Sequence, residues 1–228
     1  MEKKPFIYRF SRFWLWLWLI VWHRFQAFGS GYMPAQGGVI IASNHASFLD
    51  PPLVGCGVMH RYVRFLARDS LFENRVGAWW ARNVGVVCID RTRGDIAAFK
   101  AALAVLKAGG ALCLFPEGTR TLDGNLQLPK AGIGFLIMKA QVPVVPVYVQ
   151  GSFAAFSKGA RWIKPAKIKV YYGAPITPAE FAQLGAGKER KEIFNKAAEL
   201  VMARIEELNP DISSGFMKYP PERLRRAQ

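Results

Sequence analysis

From Gly37 onward, short apolar runs rich in β-branched residues alternate with longer stretches of helical character, and each run gives way to a polar cluster. GVIIA at 38–42 leads into SNHASFLD, VGVVCI at 84–89 into DR, ALCLF at 111–115 into PEGTR, and VVPVYV at 144–149 into QGS. Strand-like runs alternating with helix-length segments predict an α/β fold, a largely parallel mixed sheet flanked by helices. Such sheets bind ligands outside the carboxyl ends of their strands, so parallel strands would bring the polar clusters to one edge. Loops are polar in general, and one cluster alone would carry little weight. A His, two Asp, a Glu and two Arg recurring at strand ends is more than loop polarity explains. Further on, TPAE at 177–180 offers a Thr cap, a Pro in the first turn and a Glu at the third position, a helix start. Ile193, Ala197, Leu200, Val201, Ile205 and Leu208 recur at helical spacing and are assigned to core packing rather than to a cofactor site.

The amino-terminal pattern is different. Phe13 to Trp22, FWLWLWLIVW, is an uninterrupted apolar run that as a helix rises roughly 15 Å, about half of a bilayer's hydrocarbon core. Lys3, Lys4, Arg9 and Arg12 precede it, His23 and Arg24 follow it, and Trp14, Trp16, Trp18 and Trp22 suit the headgroup boundary. The expected element is a hydrophobic helical membrane anchor that half-inserts without spanning; a buried core helix and a cleaved signal peptide are the alternatives. The chain then divides into a membrane-associating segment at 1–30, one domain at 31–210 and a basic tail at 211–228 that ends KYPPERLRRAQ.

Composition narrows the partners. With 228 residues the chain can bury one substantial core, and a formal charge of +15 with pI near 10 draws anionic partners. A 51% hydrophobic content with 7 Trp exceeds what a basic nucleic-acid module needs, so a membrane surface is favoured over nucleic acid. The expected location is peripheral or monotopic, on the cytoplasmic face of the membrane. Cys56, Cys88 and Cys113 have neither CxxC spacing nor nearby histidines, so they are expected to be buried thiols in a reducing compartment, with no metal bound.

Candidate chemistry concentrates at two strand ends. His45 and Asp50 would lie about 140° apart on one regular helix, so their pairing requires an intervening turn. Pro51 and Pro52 supply one and make Asp50 a candidate helix N-cap. If the two pair, Asp50 keeps one imidazole nitrogen protonated and the other is free to take a proton from an alcohol. The bland alternative is a capping Asp50 beside an ordinary loop histidine. Ser47 is not expected to be a nucleophile, because NHASF is no nucleophile elbow. FPEGTR at 115–120 reads as a polar cradle. Amides near Gly118 could hold an anionic oxygen, Thr119 adds a hydroxyl, Arg120 could grip phosphate, and Glu117 could accept from sugar-like hydroxyls. Arg91 and Lys130 add positive charge.

These residues resemble the glycerolipid acyltransferases typified by bacterial 1-acylglycerol-3-phosphate acyltransferase. NHASFLD looks like the family's first block, NHxxxxD; GVVCIDR at 85–91, FPEGTR and VPVVPVYV at 142–149 are similar to the next three, in order. The resemblance covers roughly residues 35–175. It implies transfer of a fatty acyl group from a thioester of coenzyme A or acyl carrier protein to the free hydroxyl of a lysophospholipid, giving phosphatidic acid, with no cofactor beyond that co-substrate. It further implies His45 as the base, Asp50 as its partner, and Arg91, Glu117, Gly118 and Arg120 as glycerol-phosphate ligands, while Lys130 matches a recurrent family lysine. Arg68 stands where the family more often has Lys. Glycerol 3-phosphate or a lyso-aminolipid is the alternative acceptor, and a non-catalytic lipid-binding protein the alternative of another class.

Overall fold

The computed structural model describes residues 5–68, 75–89, 94–184 and 189–211. In chain order the elements are α1 (Phe6–His23), β1 (Gln26–Phe28), a 3-10 turn (Ser30–Tyr32), β2 (Val39–Ser43), α2 (Asp50–Gly57), β3 (Val63–Arg68), α3 (Arg75–Asn83), β4 (Val86–Ile89), α4 (Gly94–Lys107), β5 (Ala111–Leu114), α5 (Ala131–Ala140), β6 (Val144–Gln150), α6 (Ser152–Phe156), β7 (Lys169–Tyr172), α7 (Pro178–Gln183) and α8 (Arg190–Glu206). They build one seven-stranded sheet in the order β1-β7-β6-β2-β5-β3-β4. β6, β2, β5, β3 and β4 pair parallel, and the sheet is mixed because β7 joins β6 antiparallel.

The central strands are apolar throughout because both faces of the sheet are covered. β2 shows how: Val39 and Ile41 face one core with Leu19, Leu53, Val54 and Val145, while Ile40 and Ala42 face a second core with Leu106, Ile137, Val201 and Ile205. α1 and α2 roof the first core, and α4, α5 and α8 the second. The closest helix crossing depends on a glycine, since a Cβ on Gly134 in α5 would overlap the Phe194 carbonyl of α8. At α7 the expected capping box is present. Thr177 Oγ1 accepts the Glu180 amide at 3.3 Å, and Glu180 Oε2 accepts the Thr177 amide at 2.7 Å.

The four strands expected from sequence are β2, β4, β5 and β6. The other three lacked a comparable apolar signature. Residues 26–28, placed by composition in the amino-terminal segment, form β1, an edge strand that pairs with β7. The tail at 212–228 lies outside the described residues.

The Trp-rich run forms a helix with two unlike faces. Tyr8, Leu19 and His23 are buried, and Leu15, Trp16 and Trp18 pack against the core under α2. Arg12 bonds the Val58 and Met59 carbonyls at the end of α2, both at 3.2 Å, and Tyr8 meets Tyr62 edge-on at 4.5 Å. The other face carries Phe6, Phe10, Phe13, Trp14, Val21 and Trp22 exposed to solvent. Among the described residues no helix is long and apolar enough to cross a membrane. The core-helix alternative therefore describes one face of α1, and the anchor reading is left to the other.

This two-faced helix makes a stability prediction. Leu19→Ala, at a site with 0% exposure, should lower the unfolding free energy by about 3 kcal/mol. Val21→Ala, at 73% exposure, should change it by less than about 0.5 kcal/mol. Urea denaturation followed by circular dichroism distinguishes the two; equal effects would mean that α1 does not pack on the domain.

Candidate active site

The parallel strands deliver their loops to one edge, where side chains tie neighbouring loops together. Asn44, just after β2, bonds the backbone of β6: its Nδ2 donates to Val149 O at 3.1 Å and its Oδ1 accepts from Val149 N at 2.7 Å. Glu117, in the loop after β5, accepts the His45 amide on Oε1 at 2.8 Å and the Gln127 amide on Oε2 at 3.3 Å. The Thr121 amide in turn donates to His45 O at 2.9 Å. The His45 backbone is thus held at both its donor and its acceptor by the β5 loop.

The His45 ring is held just as closely. Its Nδ1 lies 2.9 Å from Asp50 Oδ2, and one ring face stacks on Phe115 with centroids 3.9 Å apart and planes 19° from parallel. The side chain is 17% exposed while that of Asp50 is fully buried. No described residue bonds Nε2. A carboxylate at Nδ1 selects the tautomer protonated there, which leaves the Nε2 lone pair facing outward as a proton acceptor.

Asp50 reaches this position differently from the cap expected of it. α2 begins at Asp50 itself, Leu49 occupies the N-cap position, and no side chain caps the helix. The reason is chemical. An N-cap side chain accepts from the second or third helical amide; after Asp50 these positions are Pro52, which has no N–H, and Leu53, whose N–H donates to Leu49 O at 3.0 Å. The carboxylate instead turns back onto its own loop. Oδ2 accepts the Ala46 and Ser47 amides, both at 2.7 Å, as well as the ring proton. Oδ1 is buried without a partner.

Ser47 is committed elsewhere, as its surroundings led us to expect. Its hydroxyl donates to Phe156 O at 2.7 Å and accepts the Leu49 amide at 3.0 Å, and the residue is fully buried. Neither bond involves the imidazole.

The FPEGTR loop differs in detail from the cradle expected of it. Gly118 takes a left-handed φ of 68°, and its amide donates to Phe115 O at 3.0 Å, so the turn itself consumes that donor. Glu117 is 1% exposed with both oxygens on backbone amides, which positions His45 and leaves no oxygen facing outward. Thr119 is exposed. The Arg120 guanidinium lies over the Phe48 ring at 3.4 Å, and its Nη1 is buried with no partner among the described residues. Burial pushes Arg120 below its ordinary pKa, with attraction to Asp50 opposing. The Lys130 stem covers Gly118, where a Cβ would stand 2.9 Å from Cγ, and its amide donates to Pro116 O at 2.8 Å. Arg91 and the Arg68 side chain lie outside the described residues.

The structure adds residues that sequence reasoning passed over: Asn44, Phe48, Phe115 and Gln127. Asn44 was legible only as the neighbour of a candidate histidine, and the two Phe stood inside the quoted motifs with no role assigned. Two concavities lie away from His45, one lined by Pro146, Ile176, Glu180 and Arg204, the other by Arg64, Val105 and Gly110. Neither contains chemistry comparable to the strand-end site. Cys56 and Cys113 are buried thiols, the first pushed up to about 12 by burial, so neither is a ready nucleophile.

Glu117 generates a prediction with a defined sign. Burial raises its carboxyl from the usual 4.5 to about 7, against the opposing effect of the His45 and Gln127 amides. The folded state therefore holds the proton more tightly than the unfolded one. That contribution is fully present below pH 4.5 and is lost as pH rises through about 7. Glu117→Gln imitates the protonated form. Its stability should match the parent near pH 4 and should not share the parent's decline towards pH 8, as read from urea midpoints across pH. Parallel pH profiles would show that Glu117 does not titrate in this window.

Comparison with known proteins agrees with this geometry. A family model described as Acyltransferase matches residues 24–150, more than half of the chain. The chain is 29% identical over 176 residues to the 1-acyl-sn-glycerol-3-phosphate acyltransferase of Bacillus subtilis, covering 77% of this chain and 83% of that protein. It is 31% identical over 162 residues to the mouse 1-acyl-sn-glycerol-3-phosphate acyltransferase alpha, covering 68% and 55% respectively. The crystal structure of PlsC, the 1-acyl-sn-glycerophosphate (LPA) acyltransferase from Thermotoga maritima, superposes with a TM-score of 0.70 at 27% identity, covering 89% of this chain and 78% of that one. A family model that matches more than half of the chain means that the protein belongs to the acyltransferase family.

Proposed function

We propose that this enzyme transfers a fatty acyl group from a thioester of coenzyme A or acyl carrier protein to the free hydroxyl of 1-acylglycerol-3-phosphate, producing phosphatidic acid for phospholipid synthesis. The observation that carries the reading is the His45–Asp50 pair at 2.9 Å, whose outward nitrogen shares an edge with Arg120, a cation with a buried, unpartnered Nη1. An orphaned guanidinium donor is what a phosphate oxygen would satisfy. Lys130, whose stem covers Gly118, adds a second positive charge to the same loop. The names of the relatives support the same acceptor.

The chemistry follows from the arrangement. The acceptor oxygen attacks the thioester carbonyl as His45 Nε2 takes its proton; the new C–O bond forms and the C–S bond breaks. The proton then passes from the imidazolium to the departing thiolate. Asp50 holds the ring and stabilises the imidazolium throughout. The exposed apolar face of α1, flanked by cations, suits attachment to one leaflet of an anionic membrane, where a lysophospholipid acceptor resides.

His45→Ala should lower kcat by about 10²- to 10⁴-fold with the fold retained. Asp50→Asn keeps an oxygen for the loop amides but loses the charge facing the imidazolium, so its loss should be in kcat as well, with KM nearly unchanged. Wild-type turnover by folded His45→Ala protein would end the general-base assignment. For the acceptor site, Arg120→Ala should raise the lysophosphatidic acid KM by roughly tenfold or more and leave the donor KM in place. The decisive assay offers labelled acyl-CoA and acyl-ACP against lysophosphatidic acid, glycerol 3-phosphate and a lyso-aminolipid. Equal rates on an acceptor without phosphate would overturn the substrate assignment.

A further inference from the structure

The segment between α6 and β7 is not used by the chemistry above, yet it leads from a helix that touches the active-site loop to the amino-terminal helix. Residues 157–167 read SKGARWIKPAK, with four cations, one Trp and no acidic residue. Lys158, Arg161, Lys164 and Lys167 are exposed, and among the described residues none of them forms an ion pair. Trp162 between them is 79% exposed, and Ile163 beside it is exposed as well. A loop that gathers positive charge around a bare indole, with no counter-charge of its own, is not packed for the interior or for water alone.

Its position is fixed at both ends. Upstream, Phe156 accepts the Ser47 hydroxyl through its carbonyl at 2.7 Å, and its ring sits 6.3 Å from that of Phe48. Downstream, the Ala166 carbonyl lies 3.2 Å from His23 Nδ1, and the Ile168 amide donates to His23 O at 3.0 Å. Midway, the Lys164 amide donates to Ala155 O at 2.9 Å. The loop thus bridges from the loop that carries His45 to the carboxyl end of α1. Val21 and Trp22, next to the buried His23, lie exposed at that end of the helix.

We propose that residues 157–167 form a second membrane contact, docking on an anionic glycerolipid bilayer with Trp162 at the headgroup boundary and the four cations on lipid phosphates. Trp suits that boundary, and each surface cation adds attraction to anionic lipid. The contact sets orientation as well as affinity. α1 alone would leave the enzyme free to turn about one helix, whereas two adjoining contacts hold the His45 edge towards the lipid. An acidic protein partner such as a carrier protein would use the cations but offers no headgroup boundary to a bare indole, so the bilayer is the better fit. The proposal rests on the acyltransferase reading for its functional consequence, and vesicle binding tests it independently of that reading.

The full-length protein is compared with a variant in which Lys158, Arg161, Lys164 and Lys167 are all changed to Ala, and with Trp162→Ala alone. Binding is measured by co-sedimentation with vesicles of phosphatidylcholine and of phosphatidylcholine mixed with phosphatidylglycerol. The fourfold variant should bind the anionic vesicles roughly 100-fold more weakly, at about fivefold per cation with incomplete additivity, and the neutral vesicles as before. Trp162→Ala should weaken binding to both by several-fold. Acyl transfer to detergent-dispersed lysophosphatidic acid should be unchanged in both, while transfer to the same acceptor embedded in anionic vesicles falls in step with binding. Parent-like binding of both variants to anionic vesicles would overturn the proposal. So would unchanged vesicle binding with a loss confined to acyl-ACP, which would assign the loop to the carrier protein. Equal loss on dispersed and embedded acceptor would place the loop in the substrate site instead. If the parent itself transfers no acyl group to any acceptor, the functional reading fails and the vesicle comparison still decides the docking.

Discussion

One oxygen organises the active edge. Asp50 Oδ2 receives the amides of Ala46 and Ser47 and the Nδ1 proton of His45, and the carboxyl that bears it is entirely shielded from water. Taking a carboxylate out of water costs several kcal/mol, so it is tolerated only where hydrogen bonds meet it. That requirement folds the chain between β2 and α2 into a single shape in which the imidazole has one place to go. Losing any of the donors would leave a buried charge undersatisfied, which makes the loop rigid before any substrate arrives.

The surrounding contacts extend this constraint across the sheet. Asn44 ties the loop to β6, Glu117 and Thr121 tie it to the turn after β5, and Ser47 ties it to α6. Strands β6, β2 and β5 are neighbours, so a residue just past the end of one can reach the backbone of the next. The polar side chains at this edge mostly bond the backbone of neighbouring loops. What they leave free is narrow: the outward nitrogen of His45, the unpartnered Nη1 of Arg120, and the exposed Lys130 and Thr119. Catalysis gains from such an arrangement because reacting groups already held in place need no reorganisation in the transition state.

The amino-terminal helix shows a different balance. It supplies Leu19 and His23 to the core, so it belongs to the fold, and it also leaves a broad aromatic face bare. Monomers seldom expose contiguous apolar surface of that kind without a partner for it. The basic loop at 157–167 runs from α6, which bonds the loop that carries His45, to His23 at the carboxyl end of this helix.

Much of this was legible in the chain itself. The α/β architecture and the four strands that bear chemistry follow from uninterrupted apolar runs, because a strand covered on both faces has no polar register to show. His45 and Asp50 were nameable because a short loop with a proline pair can bring them together. Strands β1, β3 and β7 were not found: their apolar runs are short or broken by charge, and their pairing depends on partners distant in sequence. Nor could the sequence tell what Glu117, Asp50 and Gly118 do with their hydrogen bonds. A carboxylate reads alike whether it binds a ligand, caps a helix or holds a neighbouring backbone, and only the positions of amides brought in from other strands separate these roles. The apolar run at 13–22 was equally ambiguous, since periodicity records that residues avoid water and not whether protein or lipid shields them. Local chemistry therefore determined which residues could react, while tertiary structure decided which are free to do so, because hydrogen bonds between strands far apart in the chain claim the rest.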